Sequence, residues 1–238
     1  MSKMLVKKLA KKMGYIISAY DPKRDTRAIK KSLFETLGIS VVLDVGANAG
    51  YYAQDLRRTG YQGKIVSFEP LSSAYEVMEK AAARDSKWTA CHYALGETNG
   101  TSEIFISSNS WSSSLLDILP EHTNAAPDSQ YVAKEAITIK RLDSIFDEYV
   151  TDDDKVFLKI DTQGFTKPVL NGASNSLDKV SGVFVEMSLV PLYAGESLIG
   201  EVISMLYEKG FVLLAIEPEF IDKKSGRLLQ VNGLFSRV

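Results

Sequence analysis

The chain has 238 residues, of which 45% are hydrophobic and 24% are charged, values that fit one large soluble α/β domain with a short extension. One cysteine, Cys91, excludes an internal disulfide and a zinc site built from several thiolates, and two histidines exclude a histidine-rich metal site. No apolar run approaches the ~20 residues that cross a bilayer, and no signal peptide is recognisable. We therefore expect a cytoplasmic protein.

The net charge of −2 is unevenly distributed along the chain. Residues 1–31 carry ten Lys/Arg and two Asp, a net of +8, and the remainder carries a net of −10. In residues 3–20, apolar side chains recur at helical spacing between lysine pairs, which predicts a basic amphipathic helix. We expect its apolar face to cap the domain. Contact with an anionic membrane is the alternative, and nucleic acid is disfavoured because no basic patch with interleaved aromatics continues into the domain.

A second helix, roughly 25–37, ends at Gly38, so residues 1–38 form a basic helical extension and residues 39–238 the main domain. The main domain then follows a β-α-β pattern. Its predicted strands are 41–45, 64–68, 88–92, 156–160, 182–187, 211–216 and 228–235. Its predicted helices are 51–59, 72–84 (capped by Ser72 or Ser73), 142–149, 165–178 and 196–208.

Between the third and fourth of these strands the pattern changes. Asn99-Gly100 predicts a hairpin turn into a strand over 102–107, with 137–139 as its late partner. Residues 107–130 are rich in Ser, Asn, Pro and Ala, which predicts a long loop or lid over a site.

The stretch Leu43–Gly50 ends the first strand with an acid and a turn of small residues. Such a junction leads into a helix N-terminus, where we expect free backbone N–H groups and the positive end of the helix dipole to face a ligand. The glycines let a ligand approach the backbone closely. The pattern predicts a nucleotide-type cofactor site.

Acidic residues follow the first, second and fourth strands at Asp44, Glu69 and Asp161. Ligands of open parallel sheets bind at this edge, and Glu69 is placed to accept both hydroxyls of a ribose. Two carboxylates near one nucleoside disfavour a phosphate-rich cofactor. The turn also lacks the G-x-G-x-x-G spacing of a dinucleotide site. A nucleoside with a zwitterionic amino-acid tail, S-adenosylmethionine, fits this mixture better.

An ordered set of motifs resembles the FkbM family of methyltransferases, from about residue 35 to the C-terminus. The motifs are Asp44-Val45-Gly46-Ala47-Asn48-Ala49-Gly50-Tyr51, Phe68-Glu69-Pro70, Ala94-Leu95-Gly96, Ser112-Ser113-Ser114-Leu115, Leu158-Lys159-Ile160-Asp161-Thr162-Gln163-Gly164, Val169-Leu170-x-Gly172 and Glu186-x-Ser188-x-x-Pro191-Leu192-Tyr193. The resemblance implies a Rossmann-like class I methyltransferase fold: a seven-stranded, mostly parallel sheet with its last strand antiparallel and helices on both faces. It also implies methylation of a hydroxyl on a sugar, glycan, or related glycoconjugate or secondary metabolite.

The resemblance also implies roles for single residues. The turn Gly46, Ala47, Asn48 and Gly50 would hold the methionine moiety by backbone contacts, and Asp44 would order the turn or contact the amino group, directly or through water. The remaining cofactor contacts would come from Glu69 at the ribose, Pro70 at the nucleoside, Ala94 and Leu95 near the adenine, and Asp161 beside the methyl donor. Thr166 departs from the family, whose members usually have Glu there, which puts acceptor choice or activity in question.

Three side chains are candidates for the base that removes the proton of a hydroxyl acceptor. Asp161 comes first, with cofactor positioning as its alternative role. Glu186 comes second, with a bond to backbone at the sheet edge as its alternative. His122, in the predicted lid, has a suitable intrinsic pKa. No metal site is expected, because a cation joining Asp161 and Glu186 would need more oxygen ligands.

Two other functions remain open from the sequence. One is a nicotinamide-dependent oxidoreductase, which the missing third-glycine spacing disfavours. The other is a catalytically silent domain that binds S-adenosylmethionine and acts through its basic arm, an alternative that Thr166 keeps open. The oligomeric state is not indicated by the sequence.

Overall fold

The computed structural model describes residues 3–17 and 19–237, with the side chain of Lys3 excluded. The helices are α1 (Lys3–Lys12), α2 (Thr26–Leu37), α3 (Tyr51–Arg58), α4 (Ser72–Ala82), α5 (Pro120–Ala125), α6 (Leu142–Tyr149), α7 (Thr166–Gly172) and α8 (Ile199–Glu208). The strands are β1 (Val41–Val45), β2 (Lys64–Phe68), β3 (Trp88–Cys91), β4 (Ala94–Leu95), β5 (Gly100–Ser107), β6 (Tyr131–Lys140), β7 (Val156–Ile160), β8 (Val180–Ser188), β9 (Phe211–Ile221) and β10 (Leu228–Arg237).

The main sheet has seven strands in the order β3-β2-β1-β7-β8-β10-β9. Neighbouring strands from β3 to β8 pair in parallel, and the last strand of the chain, β10, runs antiparallel to both β8 and β9. Strand order reverses between β1 and β7, because β2 and β3 continue on one side and β8 on the other. Ligands of open sheets usually bind at the carboxyl ends of the strands at such a reversal. This is the predicted Rossmann-like class I topology.

Helices cover both faces of the sheet because successive residues of each strand point to opposite sides. Val41, Leu43 and Val45 of β1 join the apolar cluster that also contains buried residues of α6, α7 and α8. Val42 joins the opposite cluster, with buried residues of α2, α3 and α4. The buried, almost wholly apolar strands β1 and β7 separate the two clusters, as expected for a parallel sheet covered on both sides.

A second sheet of three strands, in the order β4-β6-β5, lies between β3 and α6 in the chain. The predicted hairpin at Asn99-Gly100 is wrong: β4 and β5 flank β6 on opposite sides instead of pairing with each other. Asn99 acts as a link between elements, since its Oδ1 accepts hydrogen bonds from the backbone N–H of Arg141 at 2.7 Å and from Ser144 Oγ at 3.1 Å. The late partner of β5 over 137–139 is confirmed.

Three further element predictions are corrected. The helix predicted over 165–178 ends at Gly172, where an added Cβ would lie 1.9 Å from the carbonyl oxygen of Gly96. The N-cap of α4 is Leu71, without a side-chain cap, and neither serine serves. The loop predicted over 107–130 contains α5 and is tied by β-bridges to Phe105 of β5, through Ser114, and to Tyr193, through Ile118. Local sequence could not show these tertiary contacts.

The predicted extension 1–38 divides into two unlike parts. In α2, Phe34 packs against Phe157 at a ring distance of 4.6 Å and belongs to the main core. The helix α1 ends at Lys12, short of the predicted 3–20, and position 18 lies outside the described residues. Ala10 is buried, but Leu5 and Leu9 remain more than half exposed, so the expectation that the apolar face of α1 caps the domain is wrong.

Candidate active site

The turn after β1 is closed by its own hydrogen bonds. The N–H groups of Gly46 and Ala47 both donate to the carbonyl oxygen of Phe68 at 3.1 Å, and that of Gly50 donates to the carbonyl oxygen of Ala47 at 2.9 Å. The N–H of Asn48 donates to Glu69 Oε2 at 2.8 Å. The N–H of the next residue donates to Asn48 Oδ1 at 2.7 Å. No N–H of residues 46–50 is therefore left free, and the expectation of free N–H groups at the helix N-terminus concerns the first turn of α3, which begins at Tyr51.

Gly46 has the tightest backbone approach in this turn. Its φ of +73° favours glycine, and a Cβ added there would lie 1.7 Å from the carbonyl oxygen of Asp161. The loop after β7 therefore lies directly against the loop after β1. Any side chain at position 46 would separate the two loops.

A buried lysine, Lys159, lies beneath the turn. Its Nζ donates to the carbonyl oxygen of Gly46 at 3.0 Å and forms ion pairs with Asp44 Oδ1 at 3.1 Å and Asp161 Oδ2 at 3.5 Å. Burial alone would lower the pKa of Lys159, but the carboxylates of Asp44 and Asp161 outweigh it and raise the pKa above its usual value. The lysine therefore remains charged and joins the turn to the acidic loop.

Asp44 lies behind the turn and is fully buried. Besides Lys159 it accepts a hydrogen bond from Ser67 Oγ at 3.1 Å. It is not part of the cavity wall. Of its two predicted roles, this position supports the ordering of the turn, through Lys159.

Glu69 forms the other side of the turn. Its Oε2 holds the N–H of Asn48, and its Oε1 accepts from the N–H of Leu71 at 2.9 Å. Glu69 is 5% exposed. The two N–H donors lower the pKa of its carboxyl, but burial outweighs them and raises this pKa to about 7. A carboxyl held by two backbone donors is fixed in orientation toward the cavity that it lines.

The loop after β7 brings two predicted base candidates together through Gln163. The Nε2 of Gln163 donates to Asp161 Oδ1 and to Glu186 Oε2, each at 2.9 Å. Gln230 Nε2 donates to the same oxygen of Glu186 at 2.9 Å. Burial, followed by the nearby Asp161, raises the pKa of Glu186 well above its usual value. Asp161, whose side chain is 37% exposed, faces the cavity more openly.

Gln163 adopts φ of +49°, a left-handed conformation that is uncommon for residues other than glycine. Its backbone carbonyl accepts from Ser114 Oγ at 2.6 Å, and its Oε1 accepts from the hydroxyl of Tyr193 at 2.8 Å. The strained residue is therefore held at both ends by segments distant in the chain. Such conformations persist where surrounding structure over-determines them.

His122 lies inside the protein instead of in an open lid. It is 3% exposed, its Nδ1 lies 3.0 Å from Ser129 Oγ, and its Nε2 lies 3.2 Å from the hydroxyl of Tyr193. Burial lowers its pKa to about 4, so the ring is neutral at pH 7. In this position His122 connects to Asp161 and Glu186 through Tyr193 and Gln163.

These groups border one cavity of about 1060 Å³ at the carboxyl edge of the main sheet. The cavity wall contains most of the predicted site residues: Gly46, Ala47, Asn48, Glu69, Pro70, Ala94, Leu95, His122, Asp161 and Glu186. Asp44 and Gly50 stand behind this wall, and Gly50 begins α3 with φ of +77°. The wall also contains residues that sequence reasoning did not select: Lys30, Tyr51, Trp111, Lys159, Gln163, Glu217, Glu219, Gln230 and Asn232.

The geometry is that of a sheet-edge cavity with a closed turn, a buried glutamate and a pair of carboxylates. Residues 44–213, more than half of the chain, match the Methyltransferase FkbM domain. The chain belongs to the FkbM methyltransferase family. Methyltransferase sdnD of Sordaria araneosa is 24% identical to it, over 71% of this chain and 73% of that protein.

Two solved structures are also similar. Methyltransferase FkbM from Methylobacillus flagellatus is 13% identical, covering 82% of this chain but only 43% of that one, with a TM-score of 0.47. The chain thus spans less than half of that protein. Magnesium protoporphyrin IX methyltransferase from Synechocystis, solved with bound S-adenosylmethionine, is 10% identical, covering 99% and 97% of the two chains, with a TM-score of 0.46.

Thr166 was questioned because members of the FkbM family usually carry Glu there. It is 5% exposed, does not line the cavity, and its Oγ1 donates to the backbone carbonyl of Glu186 at 3.5 Å. The side chain of Thr166 therefore takes no part in the side-chain hydrogen bonds that join Asp161, Gln163 and Glu186.

Sequence reasoning missed the side chains that join the two halves of the site. Lys159, Gln163 and Tyr193 all stand inside motifs of the FkbM family but were given no role. A lysine at an otherwise apolar strand position was a usable signal for Lys159, because a buried charge requires partners. No local signal shows that Tyr193 reaches Gln163.

Proposed function

We propose that the chain is an S-adenosylmethionine-dependent O-methyltransferase that acts on a hydroxyl of a sugar, glycan, or related glycoconjugate or secondary metabolite. The observation that carries this proposal is that every N–H of residues 46–50 is already bonded within the protein. A pyrophosphate draws on the N–H donors of such a turn as well as on those of the helix that follows, whereas the ammonium of an amino-acid tail is itself a donor and needs oxygen atoms. Membership of a methyltransferase family agrees with this choice over a nicotinamide cofactor.

The cofactor contacts follow from the cavity wall. Glu69 would accept the ribose hydroxyls, and Pro70, Ala94 and Leu95 would line the nucleoside end. The close-approaching turn at Gly46–Gly50 and the carboxylate of Asp161 would hold the methionine end. Asp44 would act on this end through Lys159, which bonds the carbonyl oxygen of Gly46.

When bound, S-adenosylmethionine supplies a methyl group already activated by its sulfonium, so positioning of the acceptor oxygen contributes much of the rate. Asp161 would take the proton of the acceptor hydroxyl, because it is the more open of the two carboxylates and both of its oxygens are held, by Gln163 and by Lys159. Glu186, more deeply buried, would orient Gln163 and stand second as the base. His122 would act only as a positioning residue.

The acceptor class is proposed from the far wall of the cavity. Glu217 and Glu219 of β9 and Gln230 and Asn232 of β10 line it, and Asn232 Nδ2 donates to Glu219 Oε2 at 2.7 Å. Carboxylates and amides match the hydroxyl groups of a polyol, whereas the carboxylates oppose a phosphate-rich acceptor such as nucleic acid.

Two aromatic rings complete the rim of this wall. Tyr51 and Trp111 are stacked at 5.2 Å, with an angle of 17° between the rings, and both are about half exposed although they line the cavity. Exposed aromatic faces suit the apolar face of a sugar ring. These rings favour a saccharide over a small polar acceptor.

Calorimetry with S-adenosylmethionine and with NAD tests the cofactor. We expect binding of S-adenosylmethionine alone and a loss of at least about tenfold in affinity for Glu69→Ala, since two hydroxyl contacts to a charged group are removed. Binding of NAD, or binding unaffected by Glu69→Ala, would contradict the proposal. Methyl transfer to a panel of sugars then separates an enzyme from a silent cofactor-binding domain.

For location we propose the cytoplasm, where a single buried thiol such as Cys91 remains reduced. Among the described residues, no helix has the length and apolar character required to span a membrane.

A further inference from the structure

The helix α1 is both basic and amphipathic, and none of its described side chains lines the cavity. Its ten residues include five lysines and no acidic residue. Leu5, Leu9 and Met13 follow one another at intervals of four residues, which aligns them on one side. By the same spacing, Lys7 and Lys11 occupy the opposite side, and Lys8 and Lys12 lie at the border between the two sides. The helix is therefore amphipathic and strongly basic.

The apolar side of α1 is largely uncovered. Leu5, Leu9 and Met13 are 55%, 53% and 61% exposed, and Ile16, in the segment that follows, is 91% exposed. Exposed apolar residues scattered singly need no explanation, but a row of them along one helix does. The neighbouring helix α2, by contrast, buries Phe34 in the core.

Among the described side chains, Lys7, Lys8, Lys11 and Lys12 of α1 have no acidic partner in an ion pair. This holds although the chain beyond residue 31 carries a net charge of −10. The positive charge is thus available to an external anionic surface. Such a surface must also accept apolar side chains beside the lysines.

We propose that α1 and the segment up to residue 17 bind the chain to an anionic phospholipid surface, with the helix lying in the plane of the interface. Leucine and methionine would enter the boundary of the acyl chains, and the lysines would remain at the headgroups, their stems extending along the helix. The anionic cytoplasmic leaflet attracts such segments.

Two other occupants fit the surface less well. Nucleic acid would neutralise the lysines but offers little to a row of leucine and methionine side chains. A second copy of α1 packed on the same face would bring two sets of five lysines together at a cost in repulsion. A lipid surface satisfies both sides of the helix at once.

The test is sedimentation of the full chain with vesicles of phosphatidylcholine alone and of phosphatidylcholine mixed equally with phosphatidylglycerol. We expect binding to the mixed vesicles and almost none to the neutral ones. The double variant Lys8→Gln/Lys12→Gln should bind more weakly by about 25-fold, at about fivefold per lysine. Added salt should weaken the binding of the wild-type chain.

The variant Leu9→Glu should lose at least about tenfold in vesicle binding, because it removes one inserted side chain and adds repulsion. Its matched control is Val132→Glu, which changes another exposed apolar residue, on β6, and should leave binding unchanged. Thermal melting checks that each variant is folded. If Leu9→Glu does not fold, the vesicle binding of the double lysine variant tests the proposal.

Three outcomes would overturn the proposal. These are equal binding to neutral and anionic vesicles, no binding to either, and a concentration-dependent dimer that disappears in Leu9→Glu. Binding of RNA with no vesicle binding would likewise assign the arm to nucleic acid. None of these results depends on the cofactor or the acceptor, so the proposal fails or stands apart from the enzymatic one.

Discussion

The part of the cavity that we propose for the cofactor (the cofactor half) and the part that we propose for the acceptor (the acceptor half) are built in different ways. The cofactor half comes from short contiguous stretches at the ends of neighbouring strands, of which Gly46–Gly50 and Glu69-Pro70 are the clearest. The acceptor half is assembled from β7, β8, β9, β10 and the segment before β6. Its centre is Gln163, whose contacts come from Ser114, Glu186 and Tyr193.

The two halves differ in what holds their residues in position. In the cofactor half, backbone bonds close the turn, and one glycine permits two loops to touch. In the acceptor half, side chains hold one another, so each one depends on partners distant in the chain. We expect changes in the first half to affect cofactor affinity and changes in the second to affect turnover. The following variants test that division.

The largest effect should come from Asp161→Asn. Loss of the base should lower turnover by about 100- to 10,000-fold, while affinity for S-adenosylmethionine changes by less than about tenfold. Glu219→Gln makes the same change of charge in the same cavity and should cost less than about tenfold in turnover. Equal losses of turnover in the two variants would mean that Asp161 acts through charge alone. Methyl-transfer rates and calorimetry measure both quantities.

Gly46→Ala should disrupt the cofactor half, where the loops after β1 and β7 touch. The added Cβ would lie 1.7 Å from the carbonyl oxygen of Asp161, so the two loops must separate. We expect affinity for S-adenosylmethionine to fall about hundredfold and the free energy of unfolding by about 3 kcal/mol.

The control for Gly46→Ala is Gly226→Ala. Gly226 has a similar φ of +75° but nothing within 4 Å of an added Cβ. It should lose only the ~1–2 kcal/mol of the left-handed conformation and no affinity. If both variants melt alike and bind alike, close approach of the loops is not what Gly46 provides.

Tyr193→Phe tests how the side chains of the acceptor half are positioned. It removes the hydroxyl that joins His122 to Gln163 and leaves Gln163 Oε1 without that donor. We expect turnover to fall roughly ten- to a hundredfold with unchanged cofactor affinity. Tyr131→Phe is matched, because it also removes a hydroxyl, one bonded to the carbonyl oxygen of Leu116 at 2.6 Å. A similar loss of turnover in Tyr131→Phe would indicate loosening of the fold instead of positioning.

The smallest effect is a pH dependence of cofactor affinity set by Glu69. Burial raises the pKa of Glu69 to about 7, so the free protein binds a proton there below that pH, and a protonated carboxyl cannot accept two hydroxyls. Affinity should therefore fall about tenfold between pH 8 and pH 6. Calorimetry at several pH values measures it.

The stability of the free protein should change in the opposite direction. Because the pKa of Glu69 is higher in the folded protein than its ordinary 4.5, the folded state keeps a proton that the unfolded chain has lost. Stability from this group should decline by up to about 3 kcal/mol as pH rises from 4.5 to 7. Glu69→Gln should flatten both curves; a pH dependence of affinity that persists in this variant would assign it to another group.

Sequence reasoning predicted much of the fold because the parallel strands are short, apolar and followed by glycine-punctuated turns. The bounds 41–45, 64–68, 142–149 and 156–160 are confirmed. The same reasoning failed where tertiary contacts decide the structure. A local hairpin signal at Asn99-Gly100 lost to pairing with β6, and the basic amphipathic pattern of α1 did not lead to burial against the domain.

In the candidate site, too, the features set by local sequence could be predicted and those set by tertiary contacts could not. Glu69 and the Gly46–Gly50 turn could be selected from sequence because residue type and strand position coincide there. The bonded state of the turn could not, since three of its five N–H groups donate to Phe68 and Glu69, which belong to the next strand and its end. His122 was placed in an open lid because nothing near it in the sequence indicates Tyr193.

The most direct test of the enzymatic account is the mass of a candidate glycan after incubation with the protein and S-adenosylmethionine. The account predicts the gain of one methyl group on an oxygen atom, abolished in Asp161→Asn under conditions where that variant still binds the cofactor. A glycan panel that stays unmodified while wild-type protein binds S-adenosylmethionine, or a methyl group found on nitrogen or carbon, would contradict it.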